Sequence, residues 1–323
     1  MKVSIVVATY NGEKYLEEQL NSFVNQTIMP DEIVISDDNS TDSTIAICNE
    51  FKNGTSVEVK IFNNEGYHGV TGNFENAAKN ATGDIVFFSD QDDVWYENKI
   101  GETLKAFQNY PKCVGVFSDA DCVDANLNKL GATFNDGCWS GFKSLPFEND
   151  MCLLEGKKYL KTAIEGNILG GCCLAVKNKY LKEMFDFCPN IYHDDWLCYC
   201  MFVCGDVVAL NKTLFAYRLH GNNTVGFNNL VSNRQGLSAK IKKASRRLKS
   251  CKKIYIDNAE RAIYFKKFAD THNVKNRTLD YQQNLIQRKI DSATSSKMVG
   301  LKKLNLIMSE LGQKYTNDHI IQS

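Results

Sequence analysis

Residues 84–95 read DIVFFSDQDDVW. The nearly all-apolar run Asp84–Ser89 ends abruptly in Asp90-Gln91-Asp92-Asp93. A short continuous run of this kind is a strand covered on both faces. In open α/β sheets the crevice beyond the carboxyl ends of the strands is where ligands bind. Outward from this stretch the same unit repeats. Val3–Thr9 is an apolar strand ending in Tyr10-Asn11-Gly12, after which Leu16, Leu20, Phe23 and Val24 recur at the spacing of one helix face. Glu32–Ser36 is a second strand ending at Asp37-Asp38, and Asp38-Asn39-Ser40 offers capping side chains to a helix running to Phe51. Val57–Phe62 alternates like a third strand. Gly66, Gly69 and Gly72 mark a loop before a short helix with Phe74, Ala77, Ala78 and Ala81 on one side. These units predict an α/β fold with a mostly parallel sheet flanked by helices.

Beyond Ala106 the pattern is mixed. A strand is expected at Val114–Ser118, a polar loop to about Asp150, a turn at Gly170-Gly171 leading into a strand, and two further strands at Val207–Ala209 and Thr213–Tyr217. From about Ser238 the chain reads as helical and basic. At 323 residues the chain suits one large domain with an appendage. With 43% hydrophobic and 24% charged residues it is neither a disordered chain nor a membrane bundle. The longest apolar run, Trp196–Leu210, is interrupted by Gly205 and Asp206, and the first strand is too short for a signal-peptide core, so a cytoplasmic location is expected. The twelve cysteines show no paired C-x-x-C spacing and are expected to be reduced and buried.

The zero net charge conceals a dipole. Residues 1–231 hold 18 Lys and Arg against 31 Asp and Glu, whereas residues 232–323 hold 20 against 7. Within the basic part, residues 238–255 place Ile241, Ala244, Leu248, Cys251 and Tyr255 on one helical face and eight Lys or Arg on the rest. Such a helix suits an anionic lipid surface at the inner face of the membrane. It suits equally a helical appendage packed on the acidic body. No recognised nucleic-acid module accompanies the charge, so nucleic acid is not expected as a partner.

Carboxylates two residues apart after a strand can present oxygens to one hard divalent cation, Mg²⁺ or Mn²⁺, whose remaining shell comes from phosphates. By itself the tetrad is as well explained by a solvated acidic turn capping the helix near Glu97. Its position beside Asp38 at a neighbouring strand end favours the ligand. No G-x-x-x-x-G-K-[ST] and no G-x-G-x-x-G after the first strand are present, which excludes the common phosphate-loop and dinucleotide sites. The string His193-Asp194-Asp195-Trp196 offers a general base or, equally, a helix cap.

Residues 4–27 (SIVVATYNGEKYLEEQLNSFVNQT), 33–42 (IVISDDNSTD) and 86–100 (VFFSDQDDVWYENKI) resemble the inverting GT-A-fold glycosyltransferases of family 2. With HDDW at 193–196 and YRLHGNNTVG at 217–226, the similarity spans roughly residues 2–226 and is greatest to bacterial rhamnosyltransferases of surface-polysaccharide synthesis. The resemblance implies a Rossmann-like GT-A domain at 1–231, with a nucleotide-sugar half at 1–105, an acceptor half at 106–231, and a basic helical extension at 232–323. It implies that Asp38 reads the donor's base and that Thr9, Tyr10, Asn11 and Glu13 line that pocket. Asp90 and Asp92 correspond to the D-x-D motif, Asp90 nearer the ribose and Asp92 on the metal, with Asp93 as a possible addition. Asp194, with Asp195 in reserve, corresponds to the general base. Arg218 is matched to the diphosphate and His220 to the metal shell, while Gly170, Gly171 and Trp196 fall on the acceptor side. The implied reaction is metal-dependent, inverting transfer of a hexose, rhamnose from dTDP-rhamnose first, to a surface glycan or lipid-linked acceptor. The alternatives are a UDP-hexose glucosyl- or galactosyltransferase and an idle nucleotide-sugar-binding subunit.

Overall fold

The computed structural model describes residues 1–138, 141–165, 168–188, 191–220, 264–265 and 267–272. The chain divides into two compact units, Met1–Arg234 and Gln235–Ser323. The described part of the second unit is helical, and the basic segment 238–255 lies outside the described residues.

The first unit is built on one ten-stranded sheet ordered β3-β2-β1-β4-β9-β6-β10-β5, with β7 paired to β6 and β8 to β10. Its strands are β1 (Val3–Thr9), β2 (Glu32–Asp37), β3 (Glu58–Asn63), β4 (Ile85–Ser89), β5 (Val94–Trp95), β6 (Gly115–Val123), β7 (Lys129–Thr133), β8 (Met151–Leu154), β9 (Leu174–Lys177) and β10 (Val207–Arg218). The helices are α1 (Leu16–Val24), α2 (Thr44–Gly54), α3 (Val70–Lys79), α4 (Lys99–Asn109), α5 (Phe134–Cys138), α6 (Gly156–Glu165), α7 (Asn178–Leu181) and α8 (His193–Cys204).

The first half follows the expectation. β3, β2, β1 and β4 run parallel, and β1, β2 and β4 are buried nearly throughout. Buried Glu32 fastens this half. Its carboxylate accepts from Ser4 Oγ (2.5 Å), Lys60 Nζ (2.6 Å) and the Thr82 N–H (2.5 Å). These partners hold the carboxyl at about 2 although burial opposes ionisation.

The second half is mixed rather than parallel. β9 runs antiparallel to both β4 and β6 and joins the halves, while β6 and β10 pair in parallel. Asn178 locks the end of β9, its side-chain amide donating to Ala81 O and Gly83 O. The two expected strands at 207–209 and 213–217 are one strand with register shifts between Ala209 and Ala216. The expected polar loop before Asp150 contains β7, which pairs with an extended β6. Asp38, Asn39 and Ser40 do not cap α2. Ser40 bonds Asp37 instead (2.7 and 2.6 Å), and Asp42 and Glu13 accept the Thr44 and Ser43 N–H groups. Ten of the cysteines in the described residues are in no disulfide, and nine of these are buried. No described helix is long and apolar enough to cross a membrane.

Candidate active site

A cleft of about 770 Å³ opens at the carboxyl ends of β1, β2 and β4, and the start of α8 lines it as well. At the β2 end, Asp38 Oδ1 meets His68 Nδ1 and Asn64 Nδ2 (both 2.8 Å), and Oδ2 accepts the Gly69 N–H (2.8 Å). Against the opposing effect of burial, these hydrogen bonds lower its pKa and keep Asp38 ionised. At the β1 end, Tyr10 is 57% exposed at the mouth. Asn11 adopts φ 45° and accepts the Thr41 N–H through Oδ1 (2.8 Å), tying the β1 turn to the β2 turn.

The strand-end tetrad does four different jobs. Gln91 clamps the β1 turn, accepting from Tyr10 N (2.9 Å) and donating to Tyr10 O (3.0 Å). Asp92 Oδ2 lies 2.7 Å from His220 Nε2, and both face the cleft. Asp90 is pushed up to about 7 by burial and by the charges of Asp92 and Asp194. Asp93 is fully buried, accepts the Arg218 N–H (3.1 Å) and is raised well above the carboxylate range by burial. Beneath them, buried Lys99 donates to Cys172 O (2.8 Å) and lies over the rings of Phe215 and Trp95. Burial brings its ammonium down to about 8.

Asp92 and His220 offer an oxygen and a nitrogen 2.7 Å apart, and Asp90 stands in a second group with Asp93 and Cys172 whose ligand atoms lie within 4.8 Å of one another. Carboxylate oxygens and an imidazole nitrogen are donors that Mg²⁺ or Mn²⁺ would accept, and the repulsion that raises Asp90 is what a cation would relieve.

α8 presents Asp194 and Asp195 to the same cleft in its first turn. Asp194 Oδ1 accepts the Asp195 N–H (2.9 Å). His193 is buried and stacked on Phe74 with ring centroids 3.9 Å apart, and neither ring nitrogen has a partner. Burial holds this imidazole neutral, down to about 3. Gly171 packs so closely that a side chain there would fall inside the His193 ring.

Asp38, Tyr10, Asn11, Asp90, Asp92, Asp194, Asp195, His220 and Gly171 thus come together, while five expected residues do not line the cleft. Thr9 is buried under the floor and donates to Asp37. Glu13 caps α2 through the Ser43 N–H. Gly170 packs on Phe134. Trp196 is buried and donates its indole N–H to Met184 O. Arg218 is only 2% exposed and donates to Asp92 O, Ala125 O and Glu18. It ties these loops together and does not line the cleft. The sequence reading gave no role to Lys14 or His68, and named Gln91 and His193 only as members of their strings. The Gln inside D-x-D-D was the signal for the clamp, because an amide can pair both ways with a backbone. His68 carried no motif.

The chain matches the family model described as Glycosyl transferase family 2 over residues 4–185. It is 30% identical over 227 residues to the uncharacterized glycosyltransferase alr2836 of Nostoc, a match spanning 69% of this chain and 66% of that relative. It is 32% identical over 235 residues to the dTDP-rhamnosyl transferase RfbG of Shigella flexneri, spanning 69% and 74%. Among solved structures, Staphylococcus aureus TarS 1–349 in complex with UDP-GlcNAc superposes with a TM-score of 0.54 at 19% identity, covering 97% of this chain and 80% of that one. That likeness bears on the fold, which is the GT-A arrangement. The strand-end carboxylates, the cleft and the sequence match agree that the chain belongs to glycosyl transferase family 2.

Proposed function

We propose that the protein is a metal-dependent, inverting glycosyltransferase that moves rhamnose from dTDP-rhamnose to a surface glycan or lipid-linked acceptor. The observation that carries this reading is that the paired Asp92 and His220 line one cleft together with Asp194 and Asp195. The rhamnosyl assignment draws on the S. flexneri relative. Asp38 holds the base, and Asp92, His220 and Asp90 are the residues that would hold Mg²⁺ or Mn²⁺, which would supply Lewis-acid stabilisation to the departing nucleoside diphosphate. Asp194 takes the proton of the acceptor hydroxyl as its oxygen attacks the anomeric carbon from the face opposite the leaving group, with Asp195 as the reserve base. A single displacement of this kind inverts the anomeric centre.

Asp194→Asn is expected to lower transfer by about a hundredfold or more while leaving donor affinity intact. Transfer that persists in Asp194→Asn, Asp195→Asn and the double variant overturns the mechanism. Thermal protection by a panel of dTDP-, UDP- and GDP-sugars, with and without Mn²⁺, identifies the donor. A ligand at one hundred times its Kd stabilises by about 2.7 kcal/mol. Protection by a UDP-hexose alone would replace the rhamnosyl reading. Protection without turnover on any acceptor would point to an idle binding subunit.

For the basic extension, 232–323, we propose contact with anionic lipid through residues 238–255. Replacing Lys242, Lys243, Arg246 and Arg247 by Glu should release the full-length chain from anionic vesicles in flotation, and unchanged binding would sink the idea.

A further inference from the structure

With Arg218 consumed by Asp92 O, Ala125 O and Glu18, the leaving diphosphate needs another cationic partner. The cleft wall carries five aspartates, Asp38, Asp90, Asp92, Asp194 and Asp195, which repel a polyanion. Among the described residues lining it, Lys14 is the one lysine or arginine. Lys14 is exposed, and no carboxylate among the described residues lies within ion-pair distance of it. Its charge is therefore not already spent.

Its location is built rather than incidental. Lys14 sits on the turn closed by the Tyr15 and Leu16 N–H groups on Gly12 O (both 3.1 Å), at the start of α1. That turn is pressed on the strand-end tetrad, since Gln91 pairs both ways with Tyr10 and fills the space above Gly12. Lys14 Nζ lies 4.8 Å from the centroid of the Tyr15 ring, and the same ring meets His220 at 4.8 Å between centroids. His220 in turn contacts Asp92 at 2.7 Å. The lysine and the metal-facing pair thus share one rigid turn and one aromatic ring, on the β1–β4 side where the diphosphate must lie.

We propose that Lys14 is the cation that binds the donor's diphosphate, a binding and specificity residue selecting nucleoside diphosphates over phosphate-free nucleosides. The inference rests on the nucleotide-sugar reading above. A flexible ammonium fits the role, because it can follow phosphate oxygens as the leaving group departs.

The test is calorimetric binding of dTDP, UDP, thymidine and uridine to the full chain and to Lys14→Ala and Lys14→Arg, with Mg²⁺ present. Ligand-free melting should be unchanged in both variants, because Lys14 is exposed. In Lys14→Ala, nucleoside diphosphate affinity should fall roughly ten- to hundredfold, the loss expected for one charge-assisted contact. Nucleoside affinity should hold, and Lys14→Arg should recover most of the loss. Undiminished dTDP and UDP affinity in Lys14→Ala overturns the proposal. An equal loss for nucleoside and diphosphate also overturns it, by making the residue structural. Failure of the unaltered chain to bind any of the four would overturn the donor reading itself, and this inference with it.

Discussion

Gly171 shows how much of the site depends on a single missing side chain. A methyl group there would occupy the His193 ring, and Asp194 Cβ would stand 3.4 Å away. The ring has little room to yield, because Phe74 stacks on it with centroids 3.9 Å apart. Gly171→Ala should therefore shift the start of α8 and cost about 1–3 kcal/mol, read as a lowered melting midpoint. Transfer should fall further than stability, since the displaced turn carries both candidate bases. A variant that melts and turns over like the parent would show that this wall is soft. In the sequence the residue was legible as a turn glycine on the acceptor side, while its partner was not. Nothing in the local spacing announces that the His of His193-Asp194-Asp195 faces inward.

At the scale of elements, Arg218 decides the shape of the cleft from outside it. Placed at the end of β10, its guanidinium binds the carbonyl of the tetrad turn, the loop beyond β6 and Glu18 of α1. Arg218→Ala should cost on the order of 3 kcal/mol, because it strips partners from buried groups. Arg218→Lys should not restore it, for an ammonium cannot span three separated acceptors. Unchanged melting with weakened nucleotide binding would instead return the residue to the donor site. The sequence pattern placed Arg218 correctly at a strand end, but strand ends also carry the residues that brace a site. Burial distinguishes the two, and burial is a tertiary property. The same limit applies to the sheet. The apolar runs of β1, β2 and β4 are long enough to declare their direction through the helices between them. β9 is four residues long and follows a one-turn helix, so its antiparallel course was invisible. Thr9 and Glu13 illustrate a finer limit, one residue sitting under the floor and the other at a helix start, although both neighbour lining residues.

At the scale of the whole molecule, His193 and Glu32 each weaken the fold in acid, whereas the raised carboxyls of Asp90 and Asp93 act in the opposite sense. His193 is held at about 3 against an ordinary 6.5, so the unfolded chain takes up a proton that the folded chain refuses. The His193 contribution is then full above about 6.5 and declines by up to about 1.4 kcal/mol per pH unit as pH falls toward 3. Glu32 is held at about 2 against 4.5, so its contribution, on the order of 2 kcal/mol, is present above 4.5 and lost as pH falls toward 2. The two contributions are read by difference in urea titrations between pH 7 and 3. The stability of the parent relative to His193→Phe should fall as pH drops below about 6.5, and relative to Glu32→Gln as pH drops below about 4.5. A His193→Phe variant whose stability runs parallel to the parent's between pH 6.5 and 5 would contradict the buried, neutral imidazole.

The insertion of β9 between β4 and β6 also sets a timetable for synthesis. β4 ends at Ser89 and β9 begins at Leu174, so the ribosome makes about 85 residues between the two partners. At roughly 5–20 residues per second, the nascent chain carries an unpaired apolar edge for several seconds. For that interval the parallel half is a half-finished sheet in a crowded medium, and keeping β4 from a neighbouring chain is a task for whatever meets the polypeptide at the exit tunnel.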